Sequence, residues 1–310
     1  MFKNLTVFRI GTQWTASPLD VEAGLQKTRF VPCGTTQPQS SGWVEPRGTA
    51  HAPLLESVGG QWLMKFKIEQ KVLPGAVVKR RTEEIAQHIE ESTGRKPGKK
   101  QTKEIKEQAV LELLPMAFTK QSTVNVWIDP KQHLLVLDCT SQNKAEDIIA
   151  SLVKYVDGFA ISPIQTTLSP AVAMTEWLAS AEPPAGFTID RECELKSTDE
   201  MKSVVRYARH LLDTDEIRQH IVSGKVATRL ALTWNSRVSF LLTESLQIKK
   251  LGFLDVVFEA QSGQHTDKEE AFDADAAIAT GELRQLIPDL LDALGGELPS
   301  IGNEAPSPAA

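Results

Sequence analysis

Residues 226–244, VATRLALTWNSRVSFLLTE, carry the pattern that decides the fold class. Two runs rich in apolar and β-branched residues flank the turn-forming pair Asn235 and Ser236, which predicts a β-hairpin. A second hairpin is predicted where TVNVWID (123–129) and HLLVLDC (133–139) stand on either side of a short PKQ turn. Helical patterns occur in separate blocks between such hairpins. The sequence therefore predicts an α+β fold with antiparallel sheets and packed helices, rather than a doubly wound parallel sheet.

Local sequence features predict further elements. Ser-Pro pairs at 17–18 and 169–170 place an N-cap residue directly before a proline at the first helical position, which predicts two helix starts. The run WLMKFKI (62–68) alternates apolar and mostly charged residues, which predicts a strand with one apolar face. Near the end of the chain, DADAAIAT (273–280) is interpreted as a strand and GELRQLIPDLLDALGG (281–296) as a helix.

Residues 75–117 are predicted to form a helical hairpin. Apolar stripes at helical spacing define two amphipathic helices, the first ended by Gly94, the second with Thr102 as N-cap and Pro115 as its stop. The turn between them lies in TGRKPGKKQTK, residues 93–103, which holds five positive charges and no acid. This arrangement predicts a protruding helix pair with a basic tip.

Charge is distributed unevenly along the chain. The 310 residues carry a formal net charge of −6. Residues 255–310 hold 12 Asp and Glu against two cations, whereas residues 71–120 hold 11 Lys and Arg against 7 Glu. The electrostatic field near one surface can therefore be positive although the whole molecule is acidic.

Composition and cysteine usage indicate a cytoplasmic location. No stretch approaches the roughly 18–20 apolar residues that a membrane span requires. The N-terminus lacks the apolar core and small-residue cleavage site of a signal peptide. Cys33, Cys139 and Cys193 are far apart and odd in number, which suits free thiols in a reducing compartment.

Motifs for catalysis, metal binding and cofactor binding are absent from the sequence. There is no phosphate-binding loop, dinucleotide fingerprint or nucleophile elbow, and the six histidines do not fall at i, i+4 metal spacing. We therefore expect no enzyme activity, no metal and no cofactor. One alternative is a metal-dependent nuclease with Asp129 and Asp138 as ligands. A simpler interpretation is that both aspartates end strands.

A cluster of nine cations within 28 residues is the clearest physical feature of the sequence. Its members are Lys79, Arg80, Arg81, Arg95, Lys96, Lys99, Lys100, Lys103 and Lys106. Such a cluster can neutralise several phosphates, and the lack of interleaved aromatic residues favours a duplex backbone over stacked single-stranded bases. Because glutamates are interspersed, a solvated helical face is an equally consistent interpretation. A third hypothesis is an adaptor whose basic hairpin docks on an acidic protein.

Short motifs in a fixed order give the chain a resemblance to a known family. They are FKNL at 2–5, PCG at 32–34, GWVEP at 42–46, LLPMAF at 113–118, WID at 127–129, KAED at 144–147, MTEW at 174–177, HIVSGKVATRLALTW at 220–234, FDAD at 272–275 and TGEL at 280–283. In this order and spacing the chain resembles the RdgC family of recombination-associated proteins of proteobacteria. The resemblance runs from residue 2 to about residue 297.

The resemblance implies a function. Members of this family are homodimeric rings with two separate interfaces and a positively charged central hole sized for duplex DNA. They bind DNA with little sequence preference, restrain RecA by competing for DNA, associate with the nucleoid in recombination and replication, and have no known catalytic activity. An acidic exterior and a basic interior would explain the uneven charge of this chain.

The same resemblance implies a gate at the smaller dimer contact. The family's gate phenylalanine corresponds to Phe118, and polar gate residues correspond to Arg209 and His210. An aromatic anchor can supply much of the stability of a small contact. The expected parts of the chain are the N-terminal body (1–74), the basic helical hairpin (75–117), the remaining body with the dimerisation region (118–297) and a disordered tail (298–310).

Overall fold

Two antiparallel β-sheets and the helices packed on them make up the structure, a computed structural model that describes residues 2–259 and 268–299. The first sheet has the strand order β2-β4-β5-β6-β1-β7, with β3 paired to β4, and the second has the order β12-β11-β10-β8-β9. All of these strand pairs are antiparallel. The predicted α+β class is confirmed.

The elements follow the chain from one sheet to the other. Strands of the first sheet are β1 (Thr6–Ile10), β2 (Gln39–Val44), β3 (Leu55–Val58), β4 (Gln61–Val72), β5 (Phe118–Asp129), β6 (Leu134–Leu137) and β7 (Ile161–Pro163). Strands of the second sheet are β8 (Phe187–Ser197), β9 (Val204–Ala208), β10 (Lys225–Trp234), β11 (Val238–Thr243) and β12 (Ile248–Phe253). The helices are α1 (Pro18–Gln26), α2 (Gly75–Thr93), α3 (Lys99–Leu113), α4 (Gln142–Tyr155), α5 (Pro170–Ser180), α6 (Asp215–Val222), α7 (Val256–Glu259) and α8 (Lys268–Ala293).

Each face of the first sheet borders its own hydrophobic core. On one face, α1 and α4 pack against the apolar row of β4, which includes Trp62, Met64 and Phe66. On the other face, Trp127 joins a larger core that contains residues of α5, α8 and the second sheet. The alternation of β4 thus predicted one buried face correctly, although Leu63 on its other face is buried as well.

Turn chemistry and caps explain why several elements lie where the sequence places them. Asn235 and Ser236 have φ angles of 45° and 53°, and Trp234 pairs with Val238 across them, which confirms the hairpin. Ser17 and Ser169 accept hydrogen bonds from the first turns of α1 and α5, as their Ser-Pro pairs predict.

The predicted strand at 273–280 is wrong, because these residues belong to α8. Alanine is the strongest helix former, and four alanines in this run favour a helix. Ala276, Ala279 and Leu283 are buried at helical spacing, so the apolar pattern continues without a break into the C-terminal helix.

Helix α3 begins one turn earlier than predicted. Its first residue is Lys99 and its N-cap is Gly98, while Thr102 lies inside the helix and donates its hydroxyl to the Gly98 carbonyl at 3.0 Å. Thr102 as N-cap is therefore wrong. The predicted stop is close, since α3 ends at Leu113 and a short 3₁₀ turn, Leu114–Met116, contains Pro115.

The described part of the chain contains no helix that is both long and apolar enough to cross a membrane. Most of the predicted disordered tail, 300–310, lies outside the described residues. Leu298, its first residue, donates its backbone N–H to the Gln165 carbonyl at 2.8 Å.

Close packing of α1 on the end of α4 depends on Gly24. A Cβ atom at this position would lie 2.5 Å from the Tyr155 carbonyl oxygen, well inside van der Waals contact. We expect Gly24→Ala to lower the free energy of unfolding by about 1–3 kcal/mol in urea denaturation. Gly281→Ala in α8 is the matched control, because no atom of the described residues lies within 4 Å of its Cβ position. It should raise stability by up to about 1 kcal/mol, and equal effects of the two substitutions would contradict the packing argument.

Candidate nucleic-acid interface

Helices α2 and α3 pack against each other and carry seven of the nine predicted cations, while Arg95 and Lys96 lie in the turn between them. Gly94 ends α2 in the left-handed conformation, with a φ of 68°. Between the helices, the Arg81 guanidinium donates to the Glu112 carboxylate at 2.7 and 2.9 Å. These hydrogen bonds raise the pKa of Arg81 and lower the pKa of Glu112.

The nine cations fall into two groups according to their ion pairs. Five lie within 4.0 Å of glutamates, mostly on their own helix: Lys79, Arg80, Arg81, Lys96 and Lys103. The other four have no ion pair with any residue that the structure describes: Arg95, Lys99, Lys100 and Lys106. Exposed pairs of this kind are weak, so they reduce the local net charge without immobilising the side chains.

A cleft of about 800 Å³ lies at the tip of the helix pair, and we call it the tip cleft. Four cations contribute to its lining: Arg95, Lys96, Lys99 and Lys100. The first turn of α3 opens beside it, with no acidic residue in that turn and no side-chain cap from Gly98. The positive end of the helix dipole therefore adds to the charge of the side chains. Unpaired positive charge is concentrated at the tip.

An exposed apolar patch lies where α3 leads into β5. Phe118 is the first residue of β5, pairs with Val72 of β4, and has 88% of its surface exposed. Val72 and Met116 are exposed as well. We call these three residues the Phe118 patch. Sequence reasoning identified Phe118 only through the resemblance, and it missed Val72 and Met116.

Arg209 and His210 follow β9 at the edge of the second sheet. Arg209 adopts a left-handed φ of 56°, and the His210 backbone N–H donates to the Arg191 carbonyl at 3.1 Å. Beyond them, Leu211 and Leu212 line a cavity of about 400 Å³. Further lining residues include Leu178, Pro183, Ile189 and Asp213. Phe118 lies on the first sheet, whereas Arg209 and His210 follow a strand of the second sheet. The gate between Phe118 of one copy and these residues of another copy stays a prediction.

Asp129 and Asp138 are engaged in separate structural roles. Asp129 ends β5, is fully buried, accepts the backbone N–H groups of Lys131 and Gln132 at 2.9 and 3.0 Å, and pairs with Arg284 at 2.6 Å. Asp138 accepts the backbone N–H groups of Lys3 and Asn4, both at 2.8 Å. Asp138 lies opposite Asn125. Asn125 is four residues before Asp129 along β5. At about 3.3 Å per residue the two aspartates are about 13 Å apart along the strand, too far to share one ion.

The cysteines are free. Burial raises the pKa of the Cys139 thiol to about 11 and that of the Cys193 thiol to about 12, which makes both poor nucleophiles at neutral pH. Within residues 2–259 and 268–299 no three His, Cys, Asp or Glu side chains are grouped so that they could hold a metal ion.

Comparison with known proteins identifies the family. The family model described as "Putative exonuclease, RdgC" matches residues 1–297. A protein named Recombination-associated protein RdgC from Dechloromonas aromatica is 44% identical over 302 residues, which cover 96% of this chain and 98% of the relative. Proteins of the same name from Cupriavidus necator and Bordetella pertussis are 46% and 42% identical over 296 residues, with the same coverage. The chain belongs to the RdgC family of recombination-associated proteins.

Proposed function

We propose that this protein binds duplex DNA without sequence preference, as a homodimeric ring that encloses the double helix and restrains RecA by occupying the same DNA. The observation that supports this most strongly is the concentration of unpaired cations in the tip cleft. Lysine and arginine side chains that contact phosphates read no base, so binding through them tolerates any sequence.

The charge pattern fits a ring. Cations are concentrated on α2 and α3, while the C-terminal part of the chain is strongly acidic. If the helix pair faces a central hole, DNA meets positive charge inside and repulsion outside. Enclosure also prolongs binding, because DNA has to leave through an end or an opened contact.

The Phe118 patch is the proposed gate contact between copies. A phenylalanine with 88% of its surface in water is uncommon on a monomer and is typical of an anchor that a partner covers. Arg209, His210 and the apolar cavity beside them supply a complementary surface on the second copy. The twofold axis of the proposed dimer repeats this contact within the gate, so both copies take part in it in the same way.

We propose that DNA binding is not accompanied by catalysis. Asp129 and Asp138, the residues on which a nuclease hypothesis rests, are each committed to hydrogen bonds that hold the fold. The proposed action is competition for DNA, at the nucleoid, during recombination and replication.

Two triple variants test the electrostatic part of the proposal. The tip variant changes cations of the tip cleft, and the shaft variant changes cations of α2 and α3 that have glutamate partners. The tip variant Arg95→Gln, Lys99→Gln, Lys100→Gln removes three unpaired cations. It should reduce the magnitude of the slope of log K against log salt by about 3 for each bound protomer. Fluorescence anisotropy of a labelled duplex at several salt concentrations measures this slope.

The shaft variant Lys79→Gln, Arg80→Gln, Lys103→Gln is the matched control. It removes the same charge, but each of its cations already has a glutamate partner at 3.3–4.0 Å. For the shaft variant, the slope of log K against log salt should change by less than half as much as for the tip variant. Equal changes in both variants would show that net charge alone governs binding. A wild-type slope near zero would refute an electrostatic DNA interface.

A further inference from the structure

Within the described part of the chain, no helix of the larger core covers one face of the second sheet. Leu230, Leu232 and Trp234 of β10 point to the buried side, where α5 and α8 pack. The alternate residues point to the opposite side, which we call the open face. Its charged members are Arg206, Arg229, Lys196, Lys249 and Lys250 together with Asp190, Glu192 and Glu194.

Two arginines on the open face are held in place by one buried carboxylate. Glu194 of β8 is 9% exposed and accepts from the Arg206 Nε at 2.5 Å. Arg229 approaches the same carboxylate at 3.5 Å, and the Thr228 hydroxyl donates to it at 2.8 Å. Burial opposes ionisation of Glu194, but the hydrogen bonds and the two guanidiniums outweigh it and lower the pKa of Glu194. The carboxylate orients the guanidiniums and neutralises only one of them.

Both guanidinium groups remain accessible from solvent. The side chains of Arg206 and Arg229 are 70% and 45% exposed. A guanidinium has five N–H donors, so each side chain keeps donors free for a further acceptor. Since their positions are already fixed, binding an anion costs little additional side-chain entropy.

The remaining charges leave this face positive. Glu192 pairs with Lys250 at 2.6 Å, and Asp190 accepts the Thr233 hydroxyl at 2.8 Å. Lys196 and Lys249 have no ion pair within the described residues. The open face thus has five cations and three acids, and each acid already has an ion pair or hydrogen bond with a residue of the same sheet.

The open face is wide and has small residues between its cations. Arg206 lies on β9 and Lys249 on β12, at opposite edges of the five-stranded sheet. Four strand spacings separate these strands by about 19 Å. This exceeds the width of the major groove, about 12 Å, so cations at the two edges can contact phosphates on either side of a groove. Ala231, Thr233 and Ser239 lie between them, on the two strands that the Glu192–Lys250 ion pair crosses.

We infer that the open face of the second sheet is a further phosphate-contacting surface for duplex DNA, with Arg206 and Arg229 as its principal contacts. This inference rests on the proposed function but concerns a surface separate from the helix pair. Guanidiniums present parallel N–H groups that match the oxygens of a phosphate, so they contact the backbone bidentately.

The composition of the open face favours nucleic acid over a protein partner. The core of a protein interface is enriched in aromatic residues and depleted in charge. Here the large apolar residue at the centre, Leu241, is only 4% exposed, and its surroundings are charged or small. Protein–DNA interfaces are more polar and more positive, as this face is.

The test compares charge-matched variants of the full-length protein in the same anisotropy titration with a labelled duplex. Arg206→Gln, Arg229→Gln should reduce the magnitude of the salt slope by about 2 for each protomer engaged. Lys27→Gln, Lys154→Gln removes the same charge from the C-cap of α1 and from α4, beyond the first sheet, and should leave the slope unchanged. Because the double arginine variant leaves Glu194 buried with fewer partners, two further variants guard against misfolding: Arg206→Gln, Arg229→Gln, Glu194→Gln, and Lys196→Gln, Lys249→Gln.

The outcomes separate this inference from the proposed function. An unchanged slope in all open-face variants, with a reduced slope in the tip variant, would overturn the inference and leave the proposed function standing. Wild-type protein without salt-dependent binding would overturn the proposed function itself. If the open-face variants weaken self-association in sedimentation without changing the slope, the face contacts a second copy, and the inference is wrong.

Discussion

Phe118→Ala should weaken the self-association of this protein by about 30-fold or more, which corresponds to the roughly 2 kcal/mol that defines an interface hot spot. Phe118 has 88% of its surface exposed in the single chain, so truncation removes little from the fold. In the proposed dimer its ring becomes buried, and a buried aromatic ring removes about 150–250 Å² from water. Sedimentation velocity at several protein concentrations measures the change.

Leu19→Ala is the matched control for this substitution. Leu19 is 80% exposed on α1, which packs on the opposite side of the first sheet from the larger core. Its removal should leave self-association unchanged. A dimerisation constant of Phe118→Ala that equals the wild-type value would contradict the gate.

Closed-circular and linear duplexes of the same sequence give the gate a second readout. A ring that threads over ends should leave linear DNA faster than circular DNA. If Phe118→Ala weakens one of the two contacts, dissociation from the circle should accelerate, and the difference between the two substrates should narrow. Equal rates for wild-type protein on both substrates would argue against enclosure.

Asp129→Ala should lower the free energy of unfolding by about 3 kcal/mol, the lower end of the range for breaking a buried ion pair. The carboxylate is fully buried, accepts two backbone N–H groups of the β5–β6 turn and pairs with Arg284 of α8. The Arg284 side chain is 33% exposed, so water offsets part of the loss. Urea denaturation followed by circular dichroism measures the change.

Asp129→Asn separates the contributions of this residue. Its amide oxygen can still accept the turn hydrogen bonds, so only the charge of the pair is lost, and the cost should be smaller. The same variant tests for catalysis. Wild-type protein incubated with supercoiled plasmid and Mg²⁺ or Mn²⁺ is expected to leave the plasmid intact. Nicking that disappears in a folded Asp129→Asn protein would favour a nuclease.

Local rules predicted much of the fold. The hairpin at Asn235 and Ser236 and the helix starts at Ser17 and Ser169 each depend on residues adjacent in sequence, so the sequence alone was sufficient. The strand prediction for residues 273–280 was wrong for a different reason. Alternating Asp and Ala imitates a strand over a few residues, and only the longer helical spacing of Ala276, Ala279 and Leu283 shows which face is buried.

The candidate site was predictable in location but not in detail. The composition of residues 79–106 identified the cations, and the sequence spacing even allowed their ion pairs with glutamates. Which pairs form depends on side-chain geometry, and this separates the unpaired Arg95 and Lys99 from the paired Arg80. The arginine pair of the second sheet could not be found in this way. Arg206 and Arg229 are 23 positions apart in sequence and converge only because β8 lies between their strands.

Helix α8 bonds to both sheets, and this limits where the protein can flex. Arg284 pairs with Asp129 of the first sheet, while Glu282 pairs with Arg237, beside β11 of the second. The Trp234 indole donates to Asp289, about two turns beyond Glu282 along α8, at 2.8 Å. Such cross-bracing ties the two sheets of one chain together and leaves little flexibility between them. If two copies form the proposed ring, it has to open for a closed circle of DNA at the contacts between the copies, so temperature and protein concentration should set how often it opens.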